Sequence, residues 1–352
     1  MDDRLSQKLI VLVIVNRLFE WSQNFITREL VELRRQGVEL YIGAREIVKR
    51  DDLDDETTVL KTNFIAIAEN PFTPNGLFKH VLIAFKFPGR YFKAWKHLFE
   101  FRHSKFSKRM RSLVCLFRAA AIAQEVIDKN ISLVHAHFLT APGETALYLS
   151  RLTQTPFGGT GHAMDIYVDN SGLKKVLKEA TYVTTCTSAN NSFLKNLFPE
   201  DSHKIHTVYH GTDLVNKNNG YSNSKPFTFL AAGRFVEKKG FKYLIEACKI
   251  ARKNKGDFRC RIIGKGPLEG ELRKQIQALE MDNAIEIENY IPPAKMKLQY
   301  EKCDTLIVPS IIDKSGDRDG LPNVCLEAMA CGLPIIGTTI SGIPEGIIEN
   351  KN

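Results

Sequence analysis

The chain has 352 residues, of which 43% are hydrophobic and 25% charged, and its formal net charge is +9. This length allows two domains that each bury a core, and the composition excludes a disordered or fibrous protein. The apolar run 9–15 is too short to span a bilayer or to act as a signal peptide, so a cytoplasmic location is expected.

Short apolar runs alternate with amphipathic stretches through the first half of the sequence. This alternation is typical of parallel strands that are covered by helices. A helix is predicted around Ile26, Leu30 and Leu33, whose spacing places them on one helical face. Strands are predicted at residues 9–15, 38–42, 133–137, 182–186 and 205–209.

Segment 78–118 accounts for the net positive charge of the chain, because the remaining residues sum to about −1. It contains eleven Lys or Arg, one acidic residue (Glu100) and ten aromatic residues, so its net charge is +10. Such a stretch is typical of surfaces that bind anionic membranes, although nucleic acid would attract the same charge. A solvated helical face with its aromatics in the core is the third interpretation. Because the sequence has no nucleic-acid motif, peripheral membrane contact is favoured and no nucleic-acid partner is expected.

A segment rich in Asn and Ser at 216–226 predicts a linker, after which the alternation of strands and helices restarts. The predicted domains are therefore 1–215 and 227–352. Strands are predicted at 227–231, 260–263, 305–308 and 334–336, and helices at 243–251 and 268–279. The expected fold class is α/β, with two Rossmann-like doubly wound domains facing a cleft.

Polar or glycine-rich segments follow the strands of the second half, where ligands bind in open α/β sheets. Arg234 and Lys239 follow the first of these strands, beside a predicted helix start, and could converge on a diphosphate. Gly264 and Gly266 follow the next strand and would let the backbone approach a ligand. Because the third glycine of a dinucleotide-binding motif is missing at its required spacing, NAD chemistry is disfavoured.

The third strand end carries two carboxylates eight positions apart, Asp319 and Glu327. The turn 320–323 joins a buried strand to a helix predicted at 324–331, so its N–H groups and the helix dipole favour an anion. Carboxylates at these two places would accept hydrogen bonds from vicinal hydroxyls. Together the three strand ends predict an anionic ligand that bears hydroxyl groups, such as a sugar nucleotide.

Cysteine usage predicts neither a disulfide framework nor a zinc site. Most of the cysteines are expected to be small apolar core groups. The seven are odd in number and contain no CxxC pair: Cys115, Cys186, Cys248, Cys260, Cys303, Cys325 and Cys331.

Several sequence motifs resemble those of the family four retaining glycosyltransferases, which have the GT-B fold. The pattern is most similar to members of the colanic acid and exopolysaccharide type. In the second half the matching motifs are AGRFVEKKGF at 232–241, IGKGP at 263–267, DGLPNVCLEAMACGLP at 319–334 and SGIPE at 341–345. Weaker matches in the first half are SQNFI at 22–26, HAHF at 135–138, GHAMDI at 161–166 and HGTD at 210–213.

The resemblance implies a role for each matching position. Arg234 and Lys239 would bind the donor diphosphate, beside Gly264 and Gly266, and Glu327 would hold the nucleoside ribose. In the first domain, which would bind the acceptor, His162 and Asp165 would lie near the anomeric centre; a core or helix-capping histidine is the alternative for His162. Asp319, which with His162 and Asp165 is expected to be catalytic, would also hold the donor sugar, together with the backbone of Gly320, Leu321, Pro322, Asn323 and Val324.

The resemblance further implies transfer of a hexose from a nucleotide diphosphate sugar, with retention of anomeric configuration, to a lipid-linked or polysaccharide acceptor. No metal or cofactor is expected, and the enzyme would work peripherally at the inner face of the plasma membrane. Two alternatives stay open: a catalytically silent module that binds sugar nucleotides, and an epimerase of the same fold.

Two features depart from the family pattern. The first acidic position is Asp319 in place of the more usual glutamate, which leaves the donor sugar open. Only 127 residues follow from Pro226 onward, so the second domain is expected to be incomplete, with a truncation at the C-terminus.

Overall fold

A computed structural model of the protein describes residues 9–100, 106–170, 172–212, 226–254 and 256–349. The chain forms two compact units, Met1–Cys186 with Asn191–Tyr209 and Thr187–Asn190 with His210–Asn352. Each unit is built on a parallel sheet with helices, which confirms the predicted α/β class. Apart from Pro226, the predicted linker 216–226 lies outside the described residues.

The described part of the first unit has one large parallel sheet, with the strand order β5-β3-β1-β6-β7-β8-β9, and a short separate pair, β2-β4. The order reverses between β1 and β6, as in doubly wound folds. In sequence order the strands are β1 (Ile10–Ile14), β2 (Arg17–Leu18), β3 (Glu39–Ala44), β4 (Glu46–Ile47), β5 (Phe64–Ala66), β6 (Leu133–His137), β7 (Phe157–Gly161), β8 (Tyr182–Thr185) and β9 (Ile205–Thr207).

Helices cover both faces of this sheet. Along β1, Leu12 and Ile14 lie in one core cluster, whereas Val11 and Val13 lie in another that includes Ile26 of α1. Successive strand residues point to opposite faces, so a fully apolar β1 is required by burial on both sides. The helices are α1 (Asn24–Arg35), α2 (Asp55–Thr58), α3 (Pro74–Lys86), α4 (Pro88–Glu100), α5 (Phe106–Asp128), α6 (Ala141–Thr153), α7 (Leu173–Glu179) and α8 (Ser188–Leu197).

The second unit repeats this plan with the strand order β12-β11-β10-β13-β14 among its described residues. The order reverses between β10 and β13, which pair in parallel with Phe229 opposite Thr305. Its strands are β10 (Phe227–Arg234), β11 (Phe258–Lys265), β12 (Ile285–Glu288), β13 (Thr305–Val308) and β14 (Ile335–Gly337), and its helices are α9 (Phe241–Lys253), α10 (Glu269–Ala278), α11 (Pro293–Tyr300), α12 (Asn323–Ala330) and α13 (Ile343–Gly346).

Five of the described strands are absent from the sequence prediction: β2, β4, β5, β7 and β12. Strand β7 is Phe157-Gly-Gly-Thr-Gly161, a composition that normally weakens a strand. Its glycines are required by its neighbours: a Cβ on Gly158 would lie 2.5 Å from the Tyr182 ring, and one on Gly159 would lie 2.6 Å from the Ala136 carbonyl oxygen. The flanking strands therefore fill the space above β7.

The prediction that most cysteines are small apolar core groups is confirmed by their burial. All seven are free thiols, and every one except Cys331 is buried. Within the described ranges, no helix is both long enough and apolar enough to cross a bilayer.

Candidate functional site

The loops that leave β10 and β13 are held together at the point where the strand order of the second unit reverses. Gly240 has φ +65°, and a Cβ there would lie 1.8 Å from the Pro309 carbonyl oxygen. The Ile311 N–H donates to the Lys238 carbonyl oxygen at 2.8 Å. Glycine is therefore needed at 240 both for its backbone conformation and for this close approach. Crevices at such switch points are the usual ligand sites of open α/β sheets.

Lys239 and Asp319, both predicted site residues, meet in this crevice as an ion pair. The Lys239 Nζ lies 2.9 Å from Asp319 Oδ2, and the Ser310 hydroxyl donates to the same oxygen at 2.6 Å. Asp319 is 8% exposed. Burial acts to raise the Asp319 pKa, but the charges of Lys239 and Lys238 and the Ser310 hydrogen bond outweigh it, so this pKa lies below its ordinary value.

A second ion pair lies beside the first. The Lys238 Nζ is 2.9 Å from Asp317 Oδ2 and 3.9 Å from Asp319 Oδ1. Sequence reasoning missed both Lys238 and Ser310. Adjacent lysines before Gly240 and a serine just after β13 are the signals that point to them. Two lysines thus face two aspartates in this crevice. A diphosphate that bound here could replace a carboxylate as the partner of a lysine.

The start of helix α12 supplies further anion-binding groups next to this crevice. Its N-cap is Pro322, and among the described residues no side-chain hydrogen bond caps the helix N-terminus. Asn323, its first residue, has its Oδ1 3.3 Å from His210 Nδ1. The backbone N–H groups and the positive end of the helix dipole therefore suit a phosphate or another anionic group of a ligand that bears hydroxyls. In the predicted segment Gly320–Val324, residues 320–322 form the connection before α12, and Asn323 and Val324 are the first two residues of the helix.

Glu327 lies on α12, one turn beyond its start, and is half-buried. Its Oε2 accepts a hydrogen bond from the Tyr300 hydroxyl at 2.8 Å. Arg234 is exposed at the last position of β10, in register with Lys265 at the end of β11. Both cations thus lie at the carboxyl ends of adjacent strands, at the edge of the sheet where Lys239 also lies.

Glycine is required at 264 and 266 by contacts that the sequence alone did not predict. A Cβ on Gly264 would lie 1.9 Å from the Gly233 carbonyl oxygen, and one on Gly266 would lie 2.6 Å from that of Phe235. These glycines are required because the end of β11 and the turn after it pack directly against the end of β10 and the residue that follows β10. Their predicted contact with a donor stays a prediction.

In the first unit, His162 follows β7 and is 7% exposed. Its ring centroid lies 4.4 Å from that of Phe138, 5.2 Å from that of Phe25 and 5.9 Å from that of His137. The imidazole is therefore largely enclosed by aromatic rings at the carboxyl ends of β6 and β7. This is the end of the sheet at which ligands of doubly wound domains bind.

Asp165 is buried beside His162 and accepts hydrogen bonds from the backbone. Its Oδ2 accepts from the His162 N–H at 3.1 Å. Burial raises the Asp165 pKa to about 6, against the opposing effect of hydrogen bonds from the backbone of His162 and Leu139 and from Thr140. The Asp165 carboxylate therefore fixes the turn that presents His162. His162 precedes the π-helical turn Met164–Val168, and Asp165 lies within it.

A partly buried polar cluster, formed by Glu29, His135 and His137, lies in the same unit. One ligand atom from each lies within 4.8 Å of the others, a set of groups that could hold a divalent cation. In this structure the His135 Nδ1 contacts the Tyr182 hydroxyl at 2.8 Å, and its Nε2 contacts Thr160 Oγ1 at 3.1 Å. Burial lowers the His135 pKa to about 4 and raises the Glu29 pKa to about 7, so near neutral pH the histidine is uncharged.

The basic, aromatic segment forms α3, α4 and the start of α5, and its aromatic residues divide between core and surface. Tyr91 and Trp95 pack against the core, as expected if the segment is a solvated helical face with its aromatics in the core. Phe85, Phe92 and Phe99 are instead 82%, 72% and 77% exposed. Lys93 and Lys96 are placed on α4 with Phe92 and Phe99, so cations and large apolar rings share one helix. Residues 101–105, which include Arg102 and Lys105, lie outside the described ranges.

Comparison with known proteins finds a matching family model in each half of the chain. Residues 75–216 match the family described as Glycosyltransferase Family 4, and residues 215–352 match that described as Glycosyl transferases group 1. Both family models describe glycosyltransferases. They agree with the family resemblance inferred from the motifs, and the segment 215–352 contains all the predicted donor-site residues.

Curated relatives of these domains include polysaccharide glycosyltransferases. The amylovoran biosynthesis glycosyltransferase AmsK of Erwinia amylovora is 36% identical over 126 residues, which cover 36% of this chain and 31% of AmsK. WcaL of Salmonella typhimurium, a glycosyltransferase ascribed to colanic acid biosynthesis, is 36% identical over 127 residues, again 36% of this chain and 31% of the relative. The chain thus spans about a third of the length of these relatives.

Solved structures show the same fold at low sequence identity. A glycosyltransferase from Rickettsia africae has a TM-score of 0.66 at 18% identity, covering 98% of this chain and 83% of that one. Anabaena HepE in complex with UDP and glucose has a TM-score of 0.64 at 14% identity, covering 96% and 83%. The structural neighbours are GT-B glycosyltransferases, which confirms the predicted fold class.

Proposed function

We propose that this protein is a retaining glycosyltransferase that moves a hexose from a nucleotide diphosphate sugar to a lipid-linked or polysaccharide acceptor. The observation that carries the proposal is the Lys239–Asp319 pair at the switch point of the second unit, next to the start of α12. Lysine and helix N–H groups at one crevice stabilise the charge that develops on a departing diphosphate.

Donor binding gives Lys239 a second anionic partner. Without ligand, the ammonium group pairs with the buried Asp319 carboxylate; with donor, it also faces the diphosphate, which carries more charge. Asp319 then accepts from hydroxyls of the donor sugar, and Glu327 accepts from the ribose. In the first unit His162 faces the acceptor side of the reaction, and Asp165 positions it through its backbone N–H.

The reaction is tested by incubating the protein with UDP-, GDP- and ADP-hexoses and a lipid extract that contains saccharide acceptors. The proposal predicts release of one nucleoside diphosphate and, by NMR, a product with the anomeric configuration of the donor. Lys239→Ala should lower the rate by about 100-fold, since it removes a group that stabilises the leaving diphosphate. The control Lys242→Ala removes an exposed lysine three positions away and should leave the rate unchanged.

The same assay separates the two alternatives. Nucleotide binding without release or transfer would support a silent sugar-nucleotide module. Conversion of the sugar nucleotide to an epimer in the absence of acceptor would support an epimerase. Neither outcome is compatible with the proposed transfer.

The exposed aromatic and basic surface of α3 and α4 supports a peripheral position at the inner face of the plasma membrane. Each basic residue near an anionic surface contributes about 1 kcal/mol. Lys93→Gln with Lys96→Gln should therefore weaken co-sedimentation with phosphatidylglycerol vesicles by about 30-fold at low salt. The control pair, Lys253→Gln with Lys274→Gln, removes two exposed charges from the second unit. Equal binding of both pairs would argue against this membrane surface.

A further inference from the structure

Tyr300 connects two helices of the second unit through a hydrogen bond from the core. It is the last residue of α11 and is 2% exposed, packed in one core cluster with Cys325 and Ala328 of α12. Its hydroxyl lies 2.8 Å from Glu327 Oε2. No sequence motif drew attention to this tyrosine, which precedes Glu327 by 27 positions.

The direction of this hydrogen bond is fixed by the chemistry of its partners. Burial and the negative charge of Glu327 raise the pKa of Tyr300 well above its ordinary value, so the phenol stays protonated. An ionised carboxylate only accepts hydrogen bonds. Tyr300 therefore donates, and its rigid ring is held by the surrounding core.

The bond also restricts the Glu327 side chain. A half-buried glutamate on a helix has several rotamers within reach, and ordering it when a ligand binds costs conformational entropy. The core-anchored phenol fixes one carboxylate oxygen before any ligand arrives. A carboxylate that is held in place binds a pair of vicinal hydroxyls better than one that must first be ordered.

We infer that Tyr300 is a positioning residue that holds Glu327 to recognise the ribose hydroxyls of the donor, and so sets the preference for ribonucleotides over deoxyribonucleotides. This inference rests on the proposed donor site of the second unit. It assigns to a core tyrosine an effect on ligand choice, which a residue that only packs the core would not have.

The test measures binding of UDP, GDP and ADP and of their 2′-deoxy counterparts by calorimetry, with the whole chain of 352 residues. The variants are Tyr300→Phe, Glu327→Gln and the double variant. We expect Tyr300→Phe to weaken binding of the preferred ribonucleotide by about tenfold and to weaken binding of the deoxynucleotide, which keeps only the 3′-hydroxyl, by clearly less. Because both residues act through one carboxylate, Tyr300→Phe should add nothing in the Glu327→Gln background.

Three other outcomes would overturn the inference, and a fourth would overturn the proposed function. If the unaltered protein prefers ribonucleotides and Tyr300→Phe keeps that preference, the inference fails while the donor site stands. If Tyr300→Phe weakens both nucleotide types equally, its role is structural and the inference also fails. If Tyr300→Phe does not fold, unchanged ribose preference in Glu327→Gln overturns the inference. If the unaltered protein binds none of these nucleotides, the proposed function itself is wrong.

Discussion

Replacing Asp319 by Asn should destabilise the second unit through the loss of one charge. The substitution keeps the shape of the side chain and an oxygen for the Ser310 hydroxyl, but it removes the charge that faces the Lys239 ammonium group at 2.9 Å. A hydrogen bond between charged groups contributes roughly 1.5 to 3 kcal/mol. Adding the weaker attraction of Lys238 at 3.9 Å, we expect the free energy of unfolding at pH 7 to fall by about 2 to 4 kcal/mol.

This effect should depend on pH in a defined direction. The folded-state pKa of Asp319 is depressed, so its contribution is present above the unfolded value of about 3.9 and is lost as pH falls through the folded value. The difference between the unaltered protein and Asp319→Asn should therefore shrink at pH 3. The assay is urea unfolding, followed by circular dichroism at both pH values.

A matched control comes from an exposed ion pair of the same unit. Arg252 contacts Asp257 at 3.0 Å, but the Asp257 side chain is 82% exposed. Exposed pairs contribute less than about 1 kcal/mol, so Asp257→Asn should change stability little. If both variants lose the same stability at pH 7, or if the Asp319→Asn difference is unchanged at pH 3, the buried pair does not stabilise the site as argued.

Three further substitutions test other parts of the account. His162→Ala should lower transfer by about 100-fold or more while calorimetry shows unchanged nucleotide binding; weakened nucleotide binding would contradict its place on the acceptor side. Gly264→Ala should destabilise the protein by about 3 kcal/mol in urea unfolding, because its Cβ would lie 1.9 Å from the Gly233 carbonyl oxygen; unchanged stability would contradict the close backbone packing. Because the pKa of the buried Asp165 is raised, the stability of the unaltered protein should fall as pH rises from about 4 to 6. Asp165→Asn should reduce this fall; an unchanged slope of stability against pH would contradict the burial of Asp165 as an acid.

The second unit is the part of the fold that sequence predicts best, because its signals are local. Predicted strands at 227–231, 260–263 and 305–308 lie within β10, β11 and β13, and the predicted helices at 243–251 and 268–279 match α9 and α10 within two residues. Apolar runs bounded by glycine or polar turns carry this information within a few positions. The meeting of Lys239 with Asp319 follows from the rule that carboxyl ends of parallel strands share one edge of the sheet.

What sequence could not predict depends on residues that are distant in sequence. The glycines of β7 fit a strand only because Tyr182 and Ala136 of its neighbours fill the space above them. Likewise, Tyr300 reaches Glu327 only when α11 and α12 pack together. A tyrosine at the end of an ordinary helix carries no local mark of such a contact, so only the assembled core reveals it.

The proposed transfer requires that a nucleoside diphosphate binds at Lys239, and a thermal-shift panel measures this binding. UDP, GDP, ADP and their hexose conjugates would be added to the unaltered protein, to Lys239→Ala and to the control Lys242→Ala. A ligand at 100 times its Kd adds about 2.7 kcal/mol, which raises Tm by several degrees. The account predicts that ligands of one base raise the Tm of the unaltered protein and of Lys242→Ala but not that of Lys239→Ala. No shift with any nucleotide, or an equal shift in Lys239→Ala, would contradict it.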